Sequence, residues 1–335
     1  MKPFLVSVAP ASAELFRREL AQSDLAQAGD RLDEHRHLCS CQPDFESLFW
    51  LHRFPLQLQL ELPDLQLETV SGLPWWELDL EWLGQSPYAI QVTANQRLEW
   101  HFPDLVQAIK AGFGLPDERF QPRHPETILS AYFHRQGQRC RLFAGVSHRE
   151  ENLSSWASGH CRIPRDLQAV SRAEAKLLEA WEAFGLENGP EGHALDLGAA
   201  PGGWTRVLAS KGFHVQAVDP AKLDPRVLSL ANVSHHAETA GSFLSHAKGR
   251  FALIVSDMKM DPKLAAELLV RFAPRLDPSR GRLLTTLKLA KGPSALQQAR
   301  QALTILAESY TILQARQLYF NRSEITVLAK SSNPS

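Results

Sequence analysis

The run Leu195-Asp196-Leu197-Gly198-Ala199-Ala200-Pro201-Gly202-Gly203-Trp204 is the most informative segment of the 335-residue chain. An apolar stretch ends in small residues and then enters a helical pattern. Gly198, Gly202 and Gly203 let the backbone approach a ligand closely. The start of the following helix offers unpaired N–H groups to an anionic group. A dinucleotide loop would read G-x-G-x-x-G and a P-loop would end in Gly-Lys-Ser/Thr; this loop ends in Gly-Gly-Trp-Thr. Asp196, ahead of the glycines, would repel a pyrophosphate and suits a ligand with an ammonium or sulfonium. Asp219 closes the next strand about twenty residues on, where a carboxylate accepts ribose hydroxyl hydrogen bonds. Ribose plus a cationic amino-acid portion describes S-adenosylmethionine. The bland alternative is a structural strand–turn–helix with Asp219 as a cap.

Four ionisable residues fall beside these elements: Lys176 in the helix before the first strand, Asp257 and Lys288 at strand ends, and Glu324 at the start of the last strand. Singly, Lys176 reads as a solvated helix residue, Lys288 as a sheet-edge charge and Glu324 as an edge-strand gatekeeper. Together they fit methylation of a ribose 2′-hydroxyl, which needs the hydroxyl proton weakened and the oxygen aimed at a methyl group. Two roles for Lys288 stay open. A second lysine and partial burial lower a lysine pKa toward that of a base, while carboxylates oppose the shift. Protonated, the same side chain stabilises developing alkoxide charge.

The elements that must position these groups follow from periodicity. Ser171–Phe184 reads as a helix with Ser171 and Glu174 as a capping box. Strands are expected at 193–197, 214–218, 251–256, 282–287, 310–315 and 324–329, and helices at 203–211, 263–272 and 295–308. Such alternation implies a mostly parallel sheet with helices on both faces and ligands at strand C-termini. Before it, residues 3–9 and the alternating 56–61 read as strands and 11–25 as a helix, in a small α+β unit ending near residue 85. Trp75, Trp76 and Trp82 are read there as core or interface. Residues 88–94 read as a strand. A helix follows, capped by Asp104 and closed by Gly112 or Gly114, and then a hairpin of 128–133 and 140–146 around Gly137. The stretch 147–170 reads as a linker.

The chain carries 36 Lys+Arg and 37 Asp+Glu, net −1, but the sum hides an asymmetry. Residues 1–110 total −8 and residues 111–335 total +7. All eight cations in 111–165 are arginine: Arg119, Arg123, Arg135, Arg139, Arg141, Arg149, Arg162 and Arg165. Arginine is the better bidentate partner for phosphate, so this set is a candidate nucleic-acid path, against an ordinary solvated face. The four cysteines form no disulfide framework, and Cys39-Ser40-Cys41 is not a CxxC pair. His35 and His37 near Cys39 give only a weak metal signal, and no metal is expected. Reduced thiols, no apolar run of membrane length and no leader-like start lead to an expectation of a cytoplasmic chain without a membrane partner.

These residues resemble the FtsJ-like ribosomal RNA 2′-O-ribose methyltransferases. Leu195–Thr205 is similar to that family's cofactor loop nearly residue for residue, and the family's Lys-Asp-Lys-Glu tetrad falls on Lys176, Asp257, Lys288 and Glu324. Within the family the chain resembles the RlmM branch, which methylates a cytidine of 23S rRNA. Ser171-Arg172, Asp257-Met258, Leu287-Lys288-Leu289 and Gln314–Tyr319 carry that likeness. The resemblance is strong over 171–330 and loose before it. It implies an α/β fold: a Rossmann-like S-adenosylmethionine-dependent domain at 166–335, a ferredoxin-like α+β unit at 1–85 and a THUMP-like RNA-binding domain at 86–165. The implied cofactor contacts are Asp196, Gly198, Ala200, Pro201, Gly202, Gly203, Trp204, Asp219, Thr239 and Asp257. Thr239 stands where the family usually has an adenine-contacting Asp, and Ala173 where the branch has Ser.

The expected partner is RNA, 23S rRNA or a large-subunit precursor, with contacts at Arg135, Arg139, Arg141 and Arg322. Trp204, Tyr319 and Phe320 are candidates for base stacking, although Trp204 fits better beside the cofactor. Two alternatives are the same chemistry on tRNA or mRNA, and a non-catalytic RNA-binding protein that retains the fold. Oligomeric state is not legible in the sequence.

Overall fold

Short strands with one apolar face need partners to cover that face, and among the described residues three sheets supply them. The computed structural model describes the chain except residues 43, 63–65, 79–82, 99, 165, 187–188, 190 and 333–335. Trp82 and Arg165 therefore lie outside the described residues. The chain divides into two compact units, residues 1–162 and 163–335.

In the first unit, β1 (Lys2–Val8), α1 (Ala13–Ala21), β2 (Ala26–Arg31), β3 (Arg36–Cys41) and β4 (Trp50–Pro55) build an antiparallel sheet of order β2-β3-β1-β4. The second sheet has the order β5-β8-β7-β6. It contains β5 (Leu58–Leu62), α2 (Leu67–Ser71), β6 (Tyr88–Ala94), α3 (Phe102–Phe113), β7 (Thr127–Gln136) and β8 (Arg139–His148), followed by α4 (Arg149–Asn152). The alternating segment at 56–61 is a strand, but Leu58 pairs with Ala144 of β8 rather than with the first sheet. Alternation fixes which face is buried and leaves the partner open. Trp75 is buried in this second core with Val70, Tyr88 and Leu105, whereas Trp76 is 71% exposed.

Two local expectations need correction. Helix α3 starts at Phe102, with Pro103 in its first turn and His101 at its N-cap, so Asp104 does not cap it. Gly114, at φ +62°, closes it in the left-handed region. The supposed linker begins as core: β8 runs to His148, and buried Asn152 bonds Ser130 Oγ (3.1 Å), His52 Nε2 (3.2 Å) and Ser147. Polar residues look like loop in sequence, yet they bury well when they satisfy one another. The four cysteines are free and buried. Among the described residues no His/Cys/Asp/Glu group could hold a metal ion, and no helix is long and apolar enough to cross a membrane.

The second unit runs α5 (Glu174–Ala183), β9 (His193–Leu197), α6 (Gly203–Ser210), β10 (His214–Val218), α7 (Pro225–Leu228), β11 (Val233–His236) and α8 (Ala240–His246). It continues with β12 (Leu253–Ser256), α9 (Pro262–Phe272), β13 (Arg282–Lys288), α10 (Ser294–Leu306), β14 (Tyr310–Arg316) and β15 (Glu324–Ser331). The sheet order is β11-β10-β9-β12-β13-β15-β14. Strands β9 to β13 are parallel, and β15 enters antiparallel between β13 and β14. The order reverses at β9, so a ligand crevice is expected beyond the C-terminal ends of β9 and β12. Buried Leu195, Leu253, Val255 and Leu284 form the centre of the sheet. Helix α5 begins at Glu174. The Ser171 capping box does not form: Glu174 instead accepts the Val170 N–H (2.7 Å) and pairs with Arg206.

Candidate active site

Beyond β9 the chain folds into the loop 198–202 and then α6. Gly198 and Ala199 donate to Val218 O, and Gly202 donates to Ala199 O. Gly198 is required by its backbone conformation, and Gly203 sits tightly against a neighbouring side chain. Gly198 has φ +79°, and a Cβ on it would lie 2.6 Å from Met258 Cγ. A Cβ on Gly203 would lie 2.2 Å from Ser171 Oγ. The loop backbone is thus kept narrow and bare, as a cradle for a ligand must be.

Asp196, 1% exposed at the end of β9, accepts the Thr205 hydroxyl at 2.6 Å. Burial, with the negative charges of Asp257 and Asp219 adding to it, pushes its pKa up to about 7, against the lowering effect of Thr205. Asp219 tightens the loop by accepting the Ala200 N–H (3.1 Å) and the Ala221 N–H (2.8 Å). Three carboxylates therefore crowd a bare loop, and that electronegative cradle fits a ligand with a cationic amino-acid portion. Trp204, the second residue of α6, is buried. Its indole N–H is spent on Ala173 O (2.7 Å), and it packs with Leu177 and Leu208. Thr239 caps α8 by accepting the Ser242 N–H at 3.2 Å, and its side chain is otherwise exposed.

The four residues singled out from sequence come together as a ring of alternating charge. Lys176 Nζ lies 2.5 Å from Glu324 Oε1 and 3.4 Å from Asp257 Oδ2. Lys288 Nζ donates to Asp257 Oδ1 and to Glu324 Oε2. Register explains the last pair: Lys288 is directly opposite Glu324 across β13 and β15. Because β15 is antiparallel, its first residue meets the last residue of β13. Burial by itself would lower the Lys176 pKa, but Glu324 and Asp257 outweigh it and hold Lys176 above the ordinary lysine value. Lys176 is therefore a fixed cation. Glu324 is 6% exposed and the other three side chains 17–23%, so the ring keeps one open side.

Two residues of this neighbourhood escape the sequence reading. Thr286, 2% exposed, bonds both Asp257 and Lys288. Glu179, one turn beyond Lys176 on α5, accepts the N–H groups of Tyr319 (2.7 Å) and Phe320 (2.8 Å). Burial pushes Glu179 up to about 7, opposed by those two N–H bonds. It anchors the segment that delivers Glu324. Tyr319 there is 43% exposed, with Phe320 edge-on at 5.2 Å. The signal for Thr286 was its spacing of two from Lys288 on one strand.

The FtsJ-like methyltransferase family model matches residues 169–302. Residues 169–302 are an FtsJ-like methyltransferase domain. This FtsJ-like domain contains the loop, Asp257 and Lys288, and Glu324 lies beyond its matched span. The chain is 32% identical over 186 residues to a protein of Saccharophagus degradans named ribosomal RNA large subunit methyltransferase M, covering 53% of each chain. It is 34% identical over 191 residues to the protein of that name from Halorhodospira halophila, covering 56% of this chain and 54% of that one. The chain thus matches about half the length of these curated relatives. Among solved structures, Aeropyrum pernix fibrillarin with bound S-adenosyl-L-methionine aligns at a TM-score of 0.38 and 15% identity, over 59% of this chain and 81% of that one.

Proposed function

We propose that this protein transfers a methyl group from S-adenosylmethionine to a ribose 2′-hydroxyl of RNA, with a cytidine of 23S rRNA, free or in a large-subunit precursor, as substrate. The alternating ring of Lys176, Asp257, Lys288 and Glu324 at the strand ends carries this reading. The relatives named large subunit methyltransferase M support the rRNA target. Asp196, Asp219, Thr239 and the backbone of 198–203 would hold the cofactor, which when bound supplies an electrophilic methyl on a sulfonium. Asp257 and Glu324 keep both lysine heads in place, and the ribose oxygen is received at their open side. Held cations there favour negative charge developing on that oxygen as it takes the methyl from the sulfonium and gives up its proton to water at the open side. Such an enzyme works in the cytoplasm, where ribosomal RNA is processed.

The direct test uses purified protein, labelled cofactor and rRNA from cells that lack this gene. One new 2′-O-methyl mark at a 23S cytidine is expected. A mark confined to tRNA or mRNA would change the substrate, and no mark on any RNA would reject the activity.

RNA contact is assigned to Arg135, Arg139, Arg141 and Arg322. The first three flank the turn between β7 and β8, where Gln136 pairs with Arg139 and His134 with Arg141. Arg139 and Arg322 are exposed, while Arg141 lies 5.5 Å from the Phe143 ring centre. Changing Arg139 and Arg141 together to Glu is expected to weaken RNA binding about tenfold or more at ~0.1 M salt. The slope of log affinity against log salt should flatten by about 1.5. Filter binding across a salt series checks this, and unchanged affinity removes the hairpin from the RNA path.

A further inference from the structure

We infer that Thr286 is a positioning residue of the methyl-transfer site, the exchangeable partner that holds one N–H of Lys288 in reserve for the substrate oxygen. The inference rests on the reading of the ring as that site. Thr286 stands two residues before Lys288 on β13, and a strand period of two places both side chains on one face. Its Oγ1 is 2.5 Å from Asp257 Oδ1 and 2.8 Å from Lys288 Nζ. A carboxylate oxygen only accepts, so the single hydroxyl hydrogen goes to Asp257 and the hydroxyl oxygen accepts from Lys288.

Lys288 Nζ then faces three oxygens: Asp257 Oδ1, Glu324 Oε2 and Thr286 Oγ1. An ammonium has three N–H groups, so every one is engaged before substrate arrives. To bond a ribose 2′-oxygen, Lys288 must release one partner. Two of the three are carboxylates, and bonds between opposite charges are the stronger ones. Thr286 is the uncharged partner. When it yields its N–H to the 2′-oxygen it keeps its own bond to Asp257, so only one bond is exchanged. Lys288 stays on its two carboxylates throughout, and its aim is preserved. The low exposure of Thr286 keeps water from taking its place.

Thr286→Val keeps the shape and removes both hydrogen-bonding functions, whereas Thr286→Ser keeps them. For Val, kcat is expected to fall about ten- to hundredfold, with cofactor Kd and the KM for RNA within about twofold. Ser should recover most of the loss. A second readout needs no turnover. In protein with 15N-labelled lysine and no cofactor, the Lys288 ammonium signal is identified by its absence in Lys288→Met. Its hydrogen exchange with water should quicken several-fold in Val and not in Ser. Wild-type kcat and exchange in Val would overturn the inference, and so would equal losses in Ser and Val, which would mark a packing role. If the wild-type protein methylates no RNA, the functional reading fails by itself, and the exchange comparison still decides whether Thr286 holds Lys288.

Discussion

Lys288→Met is expected to lower methyl transfer by about two to three orders of magnitude, with cofactor affinity within about twofold. The side chain is unbranched and of similar length, so the change removes the charged head and spares most of the packing. The ring does not collapse without it, because Lys176 still reaches both Glu324 and Asp257. The loss should therefore sit in kcat and not in KM, as expected for an interaction that strengthens in the transition state. Lys288→Arg keeps the charge but replaces a point donor by a planar fork, which does not fit three convergent oxygens. It should rescue little. Single-turnover rates with saturating cofactor make the measurement, and thermal melts confirm the fold. A Met variant at full rate would remove Lys288 from the chemistry.

Asp196→Asn is expected to weaken cofactor binding by an order of magnitude or more while stabilising the ligand-free protein above neutrality. Asp196 lies at about 7 in the fold, from an ordinary 3.8, because it is buried near Asp257 and Asp219. A folded pKa above the unfolded one means a stabilising contribution that is complete below about pH 4 and is lost as pH rises to about 7. Above that the ionised group costs on the order of a few kcal/mol. Glu179, also raised to about 7 by burial, acts in the same window and the same direction. The ligand-free protein should thus melt at higher temperature at pH 6 than at pH 8, and Asn should reduce that difference. A cationic ligand favours the ionised Asp196. Affinity should therefore tighten as pH rises toward 7, by up to about tenfold per unit, and level off above it. Calorimetry between about pH 5.5 and 8.5 reads both the affinity and the proton released. Flat affinity in the wild type, or wild-type affinity in Asn, would reduce Asp196 to a structural tie for Thr205.

The ring members were readable because each stands at an element boundary where apolar periodicity stops, and charges there have few structural uses. The glycine loop was readable because its residues are constrained locally. The indole partner of Trp204 was not readable: its N–H bonds Ala173 O, which no local pattern encodes. Glu179 and Thr286 were missed for a related reason. An acidic residue in a helix and a threonine in a strand are ordinary until their partners are known. Glu179 is 140 positions from Tyr319, and Thr286 is 29 from Asp257.

What the sequence determined by itself is what depends on neighbours along the chain. It set the narrow loop 198–203, the strand and helix periods, and the chemical types gathered at strand ends. What only the tertiary structure decided is what depends on strand order and direction. The antiparallel entry of β15 sets Glu324 against Lys288. The adjacency of β9, β12 and β13 gathers Asp196, Asp257 and Thr286 at one sheet edge. A strand carries a period of two but no record of its partner, so the pairing that assembles the ring arises only when the whole sheet closes its core.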